Sequence, residues 1–179
     1  AAAVGADELL HVVHDGGLGS LSLQKALSEA VTRVGAEVVL VGKQAADTNS
    51  GSTGPGVAKM LNYSCVGLVS RIEAGSDGFE ATRSTPSGME RVSVKLPCVF
   101  AFDKGDVELR RPNVRGIMMA KKKPIEKISL ADLGVDNTGE GVSTTSVDYP
   151  PEKPEGQRFE GADAAAEVAV KLREEANVI

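Results

Sequence analysis

Tryptophan is absent from the 179 residues, and tyrosine and phenylalanine number only two and four. So few rings leave no stacking platform for single-stranded bases. Positive charge is not in excess: 20 Lys and Arg face 25 Asp and Glu, for a net charge of −5. Phosphate neutralisation along a nucleic acid needs the opposite balance, so bulk nucleic-acid binding is excluded. Cysteine is limited to Cys65 and Cys98, far apart and outside any C-x-x-C. That count excludes a disulfide framework and a structural zinc site, and it fits a reducing compartment, one optional disulfide aside. The two histidines, His11 and His14, have no carboxylate or thiol at ligand spacing, so structural roles are expected for both. No Ser-His-Asp logic can be assembled, and no catalytic or metal-ligating residue is expected. No apolar run approaches the roughly 20 residues of a bilayer-spanning helix. The opening Ala1–Asp7 has neither an initiator Met nor a signal-peptide pattern. It reads as the end of a helix and a turn, and the chain is expected to be processed or partial.

What is present is a globular composition, 41% apolar and 25% charged, which excludes disorder over the whole length. Leu9-Leu10-His11-Val12-Val13 has strand length, and Asp15-Gly16-Gly17 ends it. Leu21, Leu23, Ala26, Leu27, Ala30, Val31 and Val34 then recur at three- and four-residue steps. That spacing predicts an amphipathic helix with this apolar face inward and Gly35 as its stop. Val38-Val39-Leu40-Val41 is continuous and apolar, as in a parallel strand covered on both faces. The order is that of a βαβ unit with a right-handed crossover. A short helix is predicted from about Pro55 to Leu61, with Ser52 or Thr53 as its cap. Strands follow between Cys65 and Phe102, with turns at 75–78 and 86–88 and a buried run at Cys98–Phe102. Residues 104–123 read as a basic loop. The chain after Asp132 reads as mostly irregular, with Pro150, Pro151 and Pro154 marking an extended arm and 162–176 a helix. The expected division is 1–147 as the α/β domain and 148–179 as an arm and helix for a partner subunit.

Two segments carry chemistry. The first runs through Gly42, Lys43, Gln44, Ala45, Ala46, Asp47, Thr48, Asn49, Ser50, Gly51, Ser52 and Thr53. It leaves the C-terminal end of a predicted interior strand and opens a helix, the place where ligands sit in open α/β sheets. Small residues let backbone N–H groups approach an anion, and a helix N-terminus favours negative charge. An AMP phosphate or a dinucleotide pyrophosphate fits this chemistry, and so does a plain surface connection. The glycines fall as G-x-x-G-x-G rather than G-x-G-x-x-G, and Lys43 precedes the turn, so neither standard phosphate motif is present. The second segment holds Arg110, Arg111, Val114, Arg115, Ile117, Met118, Lys121 and Lys122, a basic stretch with an apolar middle. It suits a solvated loop, or a docking surface where charge steers an acidic partner and one apolar side chain anchors it.

Val41-Gly42-Lys43-Gln44-Ala45, Thr53-Gly54, Lys95-Leu96-Pro97, Ile117-Met118, Ala120-Lys121-Lys122-Lys123, Asp132-Leu133-Gly134-Val135-Asp136 and Pro150-Pro151 occur in an order that resembles the electron transfer flavoprotein β subunit. Ala3-Val4-Gly5-Ala6-Asp7 is similar to that family's helix-end motif, and the likeness is to its mitochondrial and α-proteobacterial branch. The resemblance implies an α/β three-layer sandwich with a mostly parallel sheet, of the adenine-nucleotide α-hydrolase-like class. It implies a structural AMP held by residues 42–53, and a heterodimer with an α subunit that carries most of the FAD site. It further implies electron transfer from acyl-CoA-type dehydrogenases toward the quinone pool, in the mitochondrial matrix, without bond chemistry by this subunit. The dehydrogenases would dock on Arg110 to Lys122.

The chain also departs from the family. The Asn-Gln before the phosphate-turn Thr reads Gly51-Ser52, and the Glu that meets the mobile flavin domain reads Ser84. The neighbouring Asp-Gly-Gly turn reads Pro86-Ser87-Gly88. In the docking segment the anchoring Leu reads Val114, Tyr reads Arg111, Pro reads Arg115 and the first Lys reads Met119. A buried Leu shortened to Val loses about 0.8 kcal/mol, enough to weaken docking without abolishing it. Drift at these surfaces with core motifs kept is also what a redox-inactive structural subunit of a larger mitochondrial respiratory assembly would show.

Overall fold

A computed structural model describes residues 1–105, 107–136, 145–153 and 155–178. The chain divides into two compact units, Ala1–Val142 and Ser143–Ile179.

The first unit is α/β. In chain order it contains β1 (Leu10–Val13), α1 (Ser20–Val34), β2 (Val38–Gly42), α2 (Thr53–Leu61), β3 (Ser64–Ala74), β4 (Gly78–Thr85), β5 (Gly88–Lys95), β6 (Cys98–Phe102), α3 (Val114–Ala120) and β7 (Glu126–Ser129). Short 3₁₀ turns lie at Ala2–Val4 and Ala131–Leu133. A five-stranded sheet runs β2-β6-β3-β4-β5, and a separate pair is formed by β1 and β7. The β1–β7, β2–β6 and β3–β6 ladders are parallel, and β3–β4 and β4–β5 are antiparallel. The sheet thus changes character along β3. Leu68 supports the change with a left-handed backbone (φ +60) at the register shift between Gly67 and Val69. A second shift between Val69 and Arg71 turns the strand toward β4.

The core follows from β6. Cys98, Val99, Phe100 and Ala101 are all buried, as an unbroken apolar run between two parallel neighbours requires. Phe100 meets the edge of Phe79 at 5.7 Å between ring centres, within a cluster that includes Val66, Val69, Ala81 and Val94. A smaller cluster of Ala26, Leu130 and Val135 joins α1 to the segment after β7. Cys98 is buried and Cys65 is exposed, and partial desolvation pushes both thiols up.

Several expectations are corrected here. The predicted βαβ unit is split, because β1 and β2 lie in different sheets. The buried residues of α1 are Ser22, Gln24, Ala26 and Ser28, and the predicted inward face is only partly covered. The polar side packs because α1 lies against α2, and Ser28 satisfies its hydroxyl on the Gln24 carbonyl at 2.8 Å. Leu40, expected to be covered on both faces, is 59% exposed. The basic loop contains α3, capped by Asn113, whose Oδ1 accepts from Gly116 N at 2.7 Å. Strand β7 was not expected, since Glu126-Lys127-Ile128-Ser129 has one apolar residue in four; its pairing with β1 makes it a strand. α2 starts at Thr53, and its cap residue Ser52 makes no side-chain cap bond. Gly35 ends α1 in the left-handed conformation (φ +64), as predicted.

The second unit carries α4 (Ala164–Glu174) with no buried residue, preceded by chain without regular elements among the described residues. Residues 137–144 and Pro154 lie outside the described residues, and the expected boundary after residue 147 falls within the second unit.

Candidate functional site

Of the first predicted segment, Gly42 closes β2, Thr53 opens α2 and the residues between them form the connection. Lys43 N donates to the Phe102 carbonyl at 2.7 Å, which fixes the start of the connection to the end of β6. The Lys43 ammonium lies 3.0 Å from Asp103 Oδ2. The hydrogen bond from Lys43 holds the Asp103 carboxyl below the usual carboxylate range. Lys43 is therefore already partnered, and little of its charge is left to attract an anion.

The connection is shaped by its own side chains. Gln44 Nε2 donates to Asn49 Oδ1 at 2.8 Å, and Asn49 N bonds the Ala45 carbonyl at 2.9 Å. Asp47 accepts from the Thr48 backbone N–H at 2.8 Å. Asn49 and Gly51 have left-handed backbones (φ +50 and +60), conformations that Asn and Gly tolerate best. Together these features bring Ser50 to Ser52, with their hydroxyl oxygens 2.8 Å apart.

The chain then enters α2, which packs closely on what lies beneath it. A Cβ at Gly54 would stand 2.7 Å from Val41 Cγ2, and one at Gly56 would fall on the Gln24 carboxamide. These two glycines therefore serve packing of α2 on β2 and α1, not approach of backbone to a ligand. The close approach brings two helix starts together. Ser20, the first residue of α1, has its hydroxyl 3.1 Å from that of Ser52. Gln24 Nε2 lies 3.2 Å from both the Ser20 hydroxyl and the Ser52 carbonyl. The result is a line of hydroxyls, Ser20, Ser52 and Ser50, beside the N-terminal turns of two helices.

Ser20 and Gln24 were not among the sequence candidates. The signal for them was weak: a serine after Gly19 at a helix start, and a glutamine on the supposed outer face. Gly42, Lys43, Gln44, Asp47, Thr48, Asn49, Ser50, Gly51, Ser52 and Thr53 are contiguous in the fold because they are contiguous in the chain. Only Ser50 and Ser52 join the hydroxyl line.

The second segment forms a different surface. α3 rests on the 3₁₀ turn of residues 2–4: Gly116 is pressed against the Ala3 carbonyl, Arg110 Nη1 donates to the Val4 carbonyl at 3.1 Å, and Lys123 Nζ donates to the Ala6 carbonyl. Val114 is 76% exposed, and Ile117, Met118 and Leu109 are exposed with it. Arg111 and Arg115 line a shallow cavity with Ala3, Val4 and Gly5, and no ion pair holds Arg111, Arg115, Lys121 or Lys122 among the described residues. Arg110 is spent partly on its carbonyl contact. The segment is thus basic, with exposed apolar side chains in its middle.

Ser84 lies in β4 opposite Met89, and the turn at 86–88 is closed by Thr85 Oγ1 donating to the Gly88 carbonyl at 2.9 Å. Among the described residues there is no metal-ligand cluster, and no helix is long and apolar enough to cross a membrane.

Residues 1–133 match the family model described as the electron transfer flavoprotein domain. The chain is 33% identical to the electron transfer flavoprotein subunit beta of Bacillus subtilis over 147 residues, which is 80% of this chain and 57% of that protein. It is 33% identical to the human protein of the same name over 178 residues, or 97% of this chain and 68% of the relative. The corresponding protein of Bradyrhizobium diazoefficiens is 32% identical over 99% of this chain and 70% of its own length. The chain therefore spans between little more than half and about two thirds of the length of these relatives.

Proposed function

Because the chain belongs to the electron transfer flavoprotein family, we propose that it acts as a β subunit that holds AMP and supports the flavin domain of an α subunit. The observation that carries this reading is the convergence of the starts of α1 and α2 on the hydroxyls of Ser20, Ser52 and Ser50. The donor set fits a phosphate. Hydroxyls donate, the N–H groups of Thr53 and Gly54 at the start of α2 have no carbonyl partner within the helix, and both helix dipoles favour an anion there. The Lys43–Asp103 pair contributes almost no net charge, so the phosphate is bound by fixed dipoles rather than by lysine. Gly51 in place of a larger side chain leaves the turn open, which suits a group held by main chain. The nucleotide is structural in this reading and no residue of the chain transfers a proton or an electron to it.

FAD, held mainly by the α subunit, would supply the redox chemistry of the complex. This chain's part is to orient that partner and to present the α3 face. Arg111, Arg115, Lys121 and Lys122 steer an acidic surface of an acyl-CoA-type dehydrogenase, and Val114, Ile117 and Met118 supply its apolar anchor. The electrons pass on toward the quinone pool, and the location that fits this chemistry is the mitochondrial matrix. The C-terminal arm and α4, which has no buried residue of its own, pack on the α subunit.

The test is the native complex. It is expected to release one AMP per β chain on denaturation, to show flavin absorbance, and to be reduced promptly by an acyl-CoA dehydrogenase with its substrate. A complex without AMP and without flavin reduction would leave only a redox-inactive structural subunit of a respiratory assembly.

A further inference from the structure

The hydroxyl line of Ser20, Ser52 and Ser50 starts at a side chain whose hydrogen-bonding sense is fixed. Gln24 is buried, with 9% of its surface exposed, on the face of α1 that meets α2. Its Nε2 lies 3.2 Å from the Ser52 carbonyl, which also accepts from Gly56 N at 2.9 Å. A carbonyl oxygen only accepts, so the nitrogen of the carboxamide, and not its oxygen, is turned this way. The same nitrogen lies 3.2 Å from the Ser20 hydroxyl. An amide nitrogen only donates, so the Ser20 oxygen accepts there and its own hydrogen must go elsewhere.

The neighbours set the rest of the order. The Ser20 hydrogen goes to Ser52 Oγ at 3.1 Å, and the Ser52 hydrogen goes on to Ser50 Oγ at 2.8 Å. Each bond in such a chain polarises the next. The Ser50 hydrogen is left at the far end, on an exposed residue, while the group that orders the line is buried. At the same helix start the N–H groups of Thr53 and Gly54 have no carbonyl partner within α2 and can only donate. The end of the line and these two N–H groups are therefore all donors. The turn itself has no carboxamide at Gly51 or Ser52, and Gln24 brings one from α1.

We infer that Gln24 is a positioning residue for the nucleotide site: by holding the hydroxyl line in one sense, it makes the site take the phosphate of AMP as its dianion. The inference rests on the AMP reading given above. The dianion presents three oxygens that only accept, which suits a set of donors. The monoanion carries a proton on one oxygen, and with the line held outward that O–H meets donors and no acceptor. Without the carboxamide the serine hydroxyls turn freely, and one of them can accept from it. No free side-chain charge is needed for this choice, since Lys43 is held by Asp103. The charged and titratable groups of the elements that meet here are Lys25, Glu29 and Arg33 on α1, Lys59 on α2, Lys43 and Asp47 in the connection, Asp103 past β6 and His14 ahead of α1. All of them are kept in the variants below, so a difference between the proteins reports the line.

Phosphorus NMR of AMP bound to the native complex tests this, with the complex stripped of nucleotide, reloaded with AMP and titrated through the second phosphate pKa, which is about 6 for a free monoester. In the native protein the bound phosphate is expected to titrate at least about one unit lower, a tenfold preference for the dianion. Gln24→Met keeps the length of the side chain and removes the donor. Its midpoint is expected to return at least halfway to that of free AMP. Ser20→Ala cuts the first link and leaves Gln24 in place, and it is expected to do the same, so the test stands even where Gln24→Met does not fold. A folded variant that returns less than halfway overturns the inference and leaves the AMP reading intact, as does a native midpoint at or above that of free AMP. A complex that takes up no AMP overturns both.

Discussion

Gln24 donates from its side-chain amide to the carbonyl of Ser52 at 3.2 Å, and the same carboxamide occupies the space where a side chain at residue 56 would begin. One residue of α1 thus sets both the start of α2 and the need for glycine one turn later. A double-mutant cycle exposes the link. Gly56→Ala alone is expected to destabilise by about 1–3 kcal/mol through overpacking. In a Gln24→Ala background the same change is expected to be neutral, or to stabilise by up to about 1 kcal/mol from helix propensity. Urea midpoints of the four proteins measure it, and additive effects would refute the contact.

Asn113 caps α3 through its side chain, which accepts from Gly116 N. Asn113→Ala is expected to cost about 0.5–2 kcal/mol and Asn113→Gly only a few tenths. The loss should be local. Exchange at Ile117 and Met118 should quicken while Val99 in β6 stays protected.

The Lys43–Asp103 pair gives a pH dependence with a defined sign. The folded Asp103 carboxyl titrates below its unfolded value of about 3.9, so its contribution is present above that value and is lost as the pH falls through the folded pKa. Asp132, held low by Ser129, follows the same course. Neutralising the partner with Lys43→Met should move the Asp103 carbon-detected titration upward and leave that of Asp132 in place. Both groups moving, or neither, would show that Lys43 is not the cause.

Removal of single hydroxyls tests the adenylate site. A hydrogen bond to a charged group is worth about 1.5–3 kcal/mol, which corresponds to a loss of roughly 10- to 100-fold in affinity. Ser52→Ala is expected to show this loss for AMP by calorimetry on the nucleotide-stripped native complex. Ser20→Ala, one hydroxyl further along the line, should lose less than Ser52→Ala. Thr48→Ala, whose side chain makes no contact with the line, should change little.

The strands and helices that the sequence itself determined are those whose signal is local. Gly35 stops α1 because a left-handed turn suits glycine, and Cys98–Phe102 is interior because five apolar residues in succession can face nothing else. The connection from Gly42 to Thr53 was legible for the same reason, since its position between a strand and a helix is a matter of chain order. Tertiary structure alone decided the rest. Ser20 and Gln24 reach the site only because Gly54 and Gly56 let α2 settle against α1, a contact between positions some thirty residues apart. Strand β7 exists because β1 offers it hydrogen bonds, not because Glu126-Lys127-Ile128-Ser129 favours extension. Which side of α1 is inside was misjudged from periodicity, because periodicity finds the apolar face of a helix but only the neighbouring elements determine what that face meets.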